Sequence, residues 1–374
     1  MHSRAKLIID SSENNADLYY GTKFFVPDPV IFIEHGKEKI LVLNDLEFDR
    51  GKRDSTADIV IPLTEYIQKL QSRKKEFNFV EILNLIFKER GIKEILVPSR
   101  FPVKFADGLR RKSFKVKFAD RQLFYLDRIK KNDSELKNIK DAMRSTEKAM
   151  ALAIDMVSSS KIKGNKLYLQ GKLLNSELVK AEINSYLSRL GYVASHTIVS
   201  GGKQSSMPHH TGKGPLYANK PIIIDIFPRS QKTGYFGDLT RTVVKGEPSR
   251  ELIKMYKTVH EGQKHAISLI KDGRRVKTVH MEVLKLFKDS GFENSMINGK
   301  PQGFIHSTGH GLGLEIHEPP RIGSGEEILK AGNVVTVEPG LYYERLGGIR
   351  IEDVVSVTKE GCKNLTRIKK KFVV

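Results

Sequence analysis

Two apolar runs in this chain carry a carboxylate where a β-strand should tolerate none. Pro221-Ile-Ile-Ile-Asp225-Ile-Phe227 is apolar enough to be a buried strand, yet an acid sits at its centre. Thirteen residues on, Gly237-Asp238-Leu-Thr-Arg241-Thr-Val-Val again brings an acid into an apolar strand. Residues 228–234 between them are rich in turn formers, which predicts a hairpin with Asp225 and Asp238 side by side. The pattern recurs near the C-terminus. Glu338 ends Asn333-Val-Val-Thr-Val-Glu338-Pro-Gly, and Glu352 lies in Gly348-Ile-Arg350-Ile-Glu352-Asp353-Val-Val. Fourteen residues separate these glutamates, with Gly340, Gly347 and Gly348 between, which predicts a second acid-bearing hairpin.

An unpaired buried carboxylate costs several kcal/mol or shifts its pKa, so each of these acids demands a partner. A single buried Asp is more often in a salt bridge than on a metal. Four carboxylates in one site are a different case, because like charges at short range raise one another's pKa. Two divalent cations would resolve the conflict. A histidine ligand is available in Gly303-Phe-Ile-His306-Ser-Thr-Gly-His310-Gly-Leu-Gly-Leu-Glu-Ile-His317-Glu, where small residues around His310 allow close backbone approach. Carboxylates with imidazole suit manganese, cobalt, iron or zinc, and we take manganese as the first candidate.

Other chemistries are excluded by what the chain lacks. Its single cysteine, Cys362, rules out a disulfide scaffold, a zinc ribbon and an iron–sulfur site. There is no His-Glu-x-x-His, and residues 309–315 fit neither the dinucleotide fingerprint nor the P-loop. The Gly202-Lys203 pair lacks the upstream glycine and the hydroxyl residue of a P-loop.

A chain of 374 residues is long enough for two domains. We place the boundary near residue 132, where a polar run ends in good N-cap residues. Residues 1–132 read as an α/β domain: two strands over 31–43 turning at Gly36-Lys37, a helical stretch over 61–87, and a strand at 94–97. In residues 133–374, Leu136, Ile139, Met143, Met150, Ile154 and Val157 recur at helical steps, predicting one long amphipathic helix. Further helices are expected at about 175–190, 250–271 and 277–290, each stopped by a glycine.

The net charge is +20, from 64 basic and 44 acidic residues, and such an excess can signal nucleic acid. Residues 1–133 contribute +6 and the rest +14, so the excess is spread along the chain. The densest stretch, 104–131, has ten basic residues and three acids. No apolar run approaches the ~20 residues of a membrane helix, and the first 20 residues lack the apolar core of a secretory signal. The expectation is a cytoplasmic protein without membrane or nucleic-acid partners.

The order Asp, Asp, His, Glu, Glu with these flanks resembles the catalytic domain of the pita-bread metallopeptidases, the group of methionine aminopeptidase, prolidase, aminopeptidase P and creatinase. The similarity covers about residues 133–374. His-Ser-Thr-Gly-His310-Gly-Leu-Gly-Leu-Glu-Ile-His317-Glu, Glu338-Pro-Gly-Leu-Tyr and Gly-Gly-Ile-Arg350-Ile-Glu352-Asp are closest to the prolidase and aminopeptidase P branch. Phe25-Val-Pro-Asp-Pro and Asp45-Leu-Glu47 are similar to that branch's N-terminal domain. The resemblance implies an α+β protein, with a C-terminal pita-bread domain behind a smaller N-terminal α/β domain. It implies metal ligands Asp225, Asp238, His310, Glu338 and Glu352, with Asp238 and Glu352 bridging two ions. His209, or its neighbour His210, matches a substrate-side histidine. His306 and His317 match the two further histidines of the prolidase site, and Arg350 an arginine that we group with the substrate-binding residues. Two departures stand out: Phe227 replaces a usual glycine, and the spacing from Asp225 to Asp238 is longer than usual.

The implied activity is a metal-dependent hydrolase of the Xaa-Pro bond, in dipeptides or at the N-terminus of peptides. Glu338 is the expected general base, and His306 or His317 the donor to the oxyanion. A homodimer is the family expectation. The alternatives are a non-catalytic pita-bread module that binds histone or RNA, and a creatinase-like hydrolase of a small non-peptide.

Overall fold

The computed structural model describes residues 4–374 and divides into two compact units, one ending at Arg128 and one spanning Ile129–Val374. The first is built on a six-stranded sheet. Its spatial order is Ile59–Pro62, Glu38–Leu43, Val30–His35, Ala5–Asp10, Glu94–Val97, Lys115–Phe118. The three central strands pair antiparallel and the outer ones parallel. Alternate residues feed two separate cores: Leu7, Ile9, Ile31, Ile33, Ile40 and Val42 in one, Ile8, Val30, Phe32, Leu41 and Leu43 in the other. Burial on both faces explains why these strands read as unbroken apolar runs. The helical stretch expected over 61–87 is broken. Ile59–Pro62 is a strand, and two helices follow, Leu63–Gln71 and Phe79–Glu89. The polar segment between them adopts a left-handed turn at Lys74, and Asn78 then caps the second helix.

Six of the ten cations in 104–131 have acid partners: Arg110 with Asp107, Lys112 with Glu81, Lys115 and Lys117 with Glu94, Arg128 with Asp17, and Lys131 with Glu318. Five carboxylates therefore offset part of the dense stretch, which keeps a net positive charge.

The second unit opens with the long helix Asp133–Ser158. Asn132 starts it through a capping box, its side chain accepting from Glu135 N–H while the Glu135 carboxylate accepts from Asn132 N–H. Two similar halves follow. In the first, Asp133–Ser158 and Ser176–Arg189 share a core with the three-stranded antiparallel sheet Ile198–Gly201, Ile222–Ile226, Leu239–Val243. In the second, Arg250–Leu269 and Val276–Asp289 pack on a five-stranded sheet that contains Gly309–Gly311, Val334–Val337 and Asp353–Val357. The expected hairpins differ in one respect. Between Val337 and Asp353 the chain makes a separate two-stranded excursion, Gly340–Tyr343 with Gly347–Arg350. No helix among the described residues is long and apolar enough to cross a membrane.

Candidate metal centre

Register brings the acids together. Asp225 pairs with Thr240 across the first sheet, and Asp238 lies two residues before Thr240. Side chains alternate along a strand, so Asp238 and Thr240 share the face that Asp225 uses. In the second half Val337 pairs with Asp353, which sets Glu338 and Glu352 opposite each other just past the ladder's end. Gln263, buried on helix Arg250–Leu269, donates to both Val337 O (3.0 Å) and Ile351 O (3.2 Å) and so fixes the backbone beside both glutamates.

His310 stands on the short strand Gly309–Gly311. The glycines there serve a packing need that differs from the one expected. A Cβ on Gly309 would lie 1.9 Å from Thr336 O, and one on Gly311 2.4 Å from Glu318 O, so glycine lets the neighbouring strands approach. The His310 Nδ1–H donates to Gly311 O (3.1 Å), which leaves the Nε2 lone pair free. That nitrogen is 3.6 Å from Asp238 Oδ2 and 3.3 Å from Glu338 Oε1. Asp238, His310 and Glu352 each offer one ligand atom within 4.8 Å of the others, and all three are buried.

Charge balance separates the acids. Asp225 has a counter-ion: its Oδ2 accepts from Arg350 Nη2 at 2.6 Å. Its Oδ1 is buried with no hydrogen-bond partner. Asp238 is pushed well above the usual carboxylate range by burial and then by the charges of Asp225 and Glu338. Burial and then the Asp238 charge push Glu352 up likewise, and burial lifts Glu338 to about 7. Burial pulls His310 down to about 3, so its imidazole is neutral. A neutral imidazole aimed at two acids, three carboxylates that resist ionisation, and an orphaned Asp225 oxygen form a donor set suited to divalent cations.

The remaining expected residues take different places. His306 is also held neutral, near 3, chiefly by burial. Its Nδ1–H donates to Ser307 O (2.8 Å), so Nε2 is an acceptor and the Tyr342 hydroxyl donates to it (2.9 Å). His306 therefore has no N–H left for an oxyanion. His317 reaches solvent, with its ring edge-on to His310 at 4.3 Å, and partial desolvation, then Arg321 and His209, pull its pKa down. His209 is exposed and its charge acts on both His306 and His317. His210 instead accepts the Gly212 N–H on its Nδ1 (3.0 Å). Arg350 is buried. Besides Asp225 it donates to Tyr342 Oη (2.8 Å), Thr240 Oγ1 (3.3 Å) and Pro208 O (3.4 Å), which makes it a brace for a ligand.

Tyr342, Thr240 and Arg321 escaped the sequence reading. Thr240 donates to Glu352 Oε2 (2.9 Å), and its position two residues from Asp238 was the available signal. Arg321 acts on the charges of His310, His317 and Glu338.

The model of metallopeptidase family M24 matches residues 137–359. The Xaa-Pro dipeptidase of Pyrococcus horikoshii is 29% identical over 341 residues, covering 90% of this chain and 86% of that protein. An uncharacterized peptidase of Methanocaldococcus jannaschii is 31% identical over 319 residues, covering 81% and 82%. The crystal structure of the prolidase from Pyrococcus horikoshii superposes with a TM-score of 0.79 at 27% identity, covering 99% of this chain and 95% of that one. The expected α+β, pita-bread architecture is thus borne out, as is the class of enzyme, a peptide-bond hydrolase. With acids and imidazole converging in this fold and the family model spanning most of the second unit, the chain belongs to metallopeptidase family M24.

Proposed function

We propose that the protein is a dinuclear-metal peptidase that cleaves the Xaa-Pro bond of dipeptides or of peptide N-termini. In this reading residues 1–132 form an N-terminal domain and 133–374 the catalytic domain, within a cytoplasmic homodimer. The observation that carries the proposal is the cluster of Asp238, Glu338 and Glu352, none of them ion-paired to Lys or Arg among the described residues, facing the free Nε2 of His310. The similar proteins of Pyrococcus horikoshii, an Xaa-Pro dipeptidase and a prolidase by name, support the substrate class.

Asp225, Asp238, His310, Glu338 and Glu352 would hold the ions. When bound, these would supply a Lewis acid and a water acidic enough to ionise near neutral pH. Glu338 takes the proton of the attacking water and returns it to the departing amine, as the O–C bond forms and the C–N bond breaks. Its carboxylate stands 3.3 Å from His310 Nε2, at the place where the ions would be held. Arg350 holds Asp225 in place through a charged hydrogen bond. His317 donates to the oxyanion, because the His306 nitrogens are already engaged. His209, on the exposed side of the same pair, steadies the residue on the leaving side.

The test is hydrolysis of Ala-Pro beside a longer Xaa-Pro peptide, with manganese, cobalt and zinc in turn, and with bound metal counted. Metal-dependent proline release that is abolished in Asp238→Ala supports the proposal. Full activity in that variant, or a metal-free protein with salt-dependent affinity for nucleic acid, overturns it.

A further inference from the structure

A second concentration of charge lies outside the metal centre, in the same unit. A cavity of about 140 Å³ is lined by Lys140, Arg144, Lys363, Asn364, Leu365 and Arg367. Four of these six are cations and none is an acid. They come from distant parts of the chain, helix Asp133–Ser158 on one side and strand Cys362–Asn364 with the segment that leaves it on the other. Arg144 shares Asp141 with Lys137. Among the described residues, the side chains of Lys140, Lys363 and Arg367 have no ion-pair partner.

The acids nearby are committed elsewhere. Glu147 Oε1 accepts the backbone N–H groups of Arg367 and Ile368 (2.8 Å for the latter). Asp353 is buried and holds Arg241, Lys370 and Asn364. These bonds, with Leu365 N–H to Val354 O (2.8 Å) and Val354 N–H to Thr366 Oγ1 (3.0 Å), fix the segment that carries Lys363 and Arg367. The backbone that carries Lys363 and Arg367 is therefore fixed, and of the four cations around the cavity only Arg144 is ion-paired among the described residues. Like charges gathered in one concavity raise the local potential and draw in a counter-ion. The fork of a guanidinium matches the oxygens of a tetrahedral oxyanion, and the ammonium groups add point charges.

We propose that this cavity is an oxyanion site that takes a phosphate-type dianion, either free inorganic phosphate or the terminal phosphate of a nucleotide. It is separate from the metal centre and does not depend on the peptidase reading.

The experiment titrates inorganic phosphate, pyrophosphate and ATP into the metal-loaded protein at constant ionic strength set with chloride. The parent is compared with the double variant K363Q/R367Q. The expected result is saturable binding that weakens at least tenfold in the variant, with phosphate raising the melting temperature of the parent only. Removing two like charges should leave the anion-free variant as stable as the parent or more so. Within that result, ATP binding tighter than phosphate assigns the nucleotide, and equal affinity assigns the free ion. Binding that is equal in parent and variant would place the anion on the bound metals and overturn the proposal. So would the absence of saturable binding, or an anion-free variant less stable than the parent.

Discussion

At the scale of single residues, hydrogen-bond direction ranks the histidines. A neutral imidazole has one N–H and one lone pair. His306 spends its N–H on Ser307 O and its lone pair on Tyr342, whereas His317 is exposed beside His310. Loss of one oxyanion donor typically slows an enzyme by 10²–10³. His317→Ala is therefore expected to lower kcat by about that factor. Tyr342→Phe removes only the hydroxyl that orients His306 and accepts from Arg350, so a loss of about tenfold is expected, the scale of one buried hydrogen bond. Steady-state kinetics of the two variants check the ranking. A His306→Gln variant slower than His317→Ala would show that His306 is the donor after all.

At the scale of elements, the site depends on strands being pinned together. Arg241 is fully buried on Leu239–Val243 and reaches across to the second half. It donates to Glu352 O (2.5 Å), to Asp353 Oδ1 (2.9 Å) and to Ile368 O (2.9 Å). Removing one partner of a buried ion pair strands the other and typically costs 3–5 kcal/mol. Arg241→Met should lose about that much in chemical denaturation, and an unchanged midpoint would refute the assignment. Gly309→Ala is a different lesion. Its Cβ would meet backbone 1.9 Å away, which cannot swing aside as a flexible side chain could, so the strand bearing His310 must shift. Metal content after dialysis is expected to fall at least tenfold in that variant. These ties also explain what the sequence could and could not reveal. The acids at 225, 238, 338 and 352 were legible because apolar strands make a carboxylate conspicuous. Helix starts were legible where a local cap exists, as at Asn132, Asn175 and Ser249. Tyr342 was not, because an aromatic in a β run is ordinary until its hydroxyl is seen between His306 and Arg350. Nor was the role of Arg350, since only tertiary contact sets an arginine on Asp225 rather than in solvent. The single helix expected over 61–87 failed for a local reason, as helical spacing alone did not register the left-handed turn at Lys74.

At the scale of the whole catalytic unit, two helix-and-sheet halves each bring two acids to one place, and of these only Asp225 is ion-paired to an arginine among the described residues. The protein is thus built to be completed by cations, and its stability should report their loss. Above the ordinary imidazole value of about 6.5, where the lowered His306 and His310 are neutral in both states, Glu338 at about 7 and the raised Asp238 and Glu352 make the metal-free folded state bind more protons than the unfolded one. Stability then falls as pH rises. The benefit of protonation is complete below the ordinary carboxylate range and is lost as pH climbs through the raised values. For Glu338 alone that loss amounts to roughly 3 kcal/mol, at about 1.4 kcal/mol per unit. The chelated protein should therefore melt progressively lower between about pH 6.5 and 8, whereas below that range the lowered histidines work in the opposite direction. Divalent metal should reverse the trend, because it binds the ionised carboxylates of the folded state and so becomes more stabilising as protons leave. Melting curves with and without chelator across that range give the answer directly. Two curves that run parallel would mean that the buried acids are balanced by something other than metal.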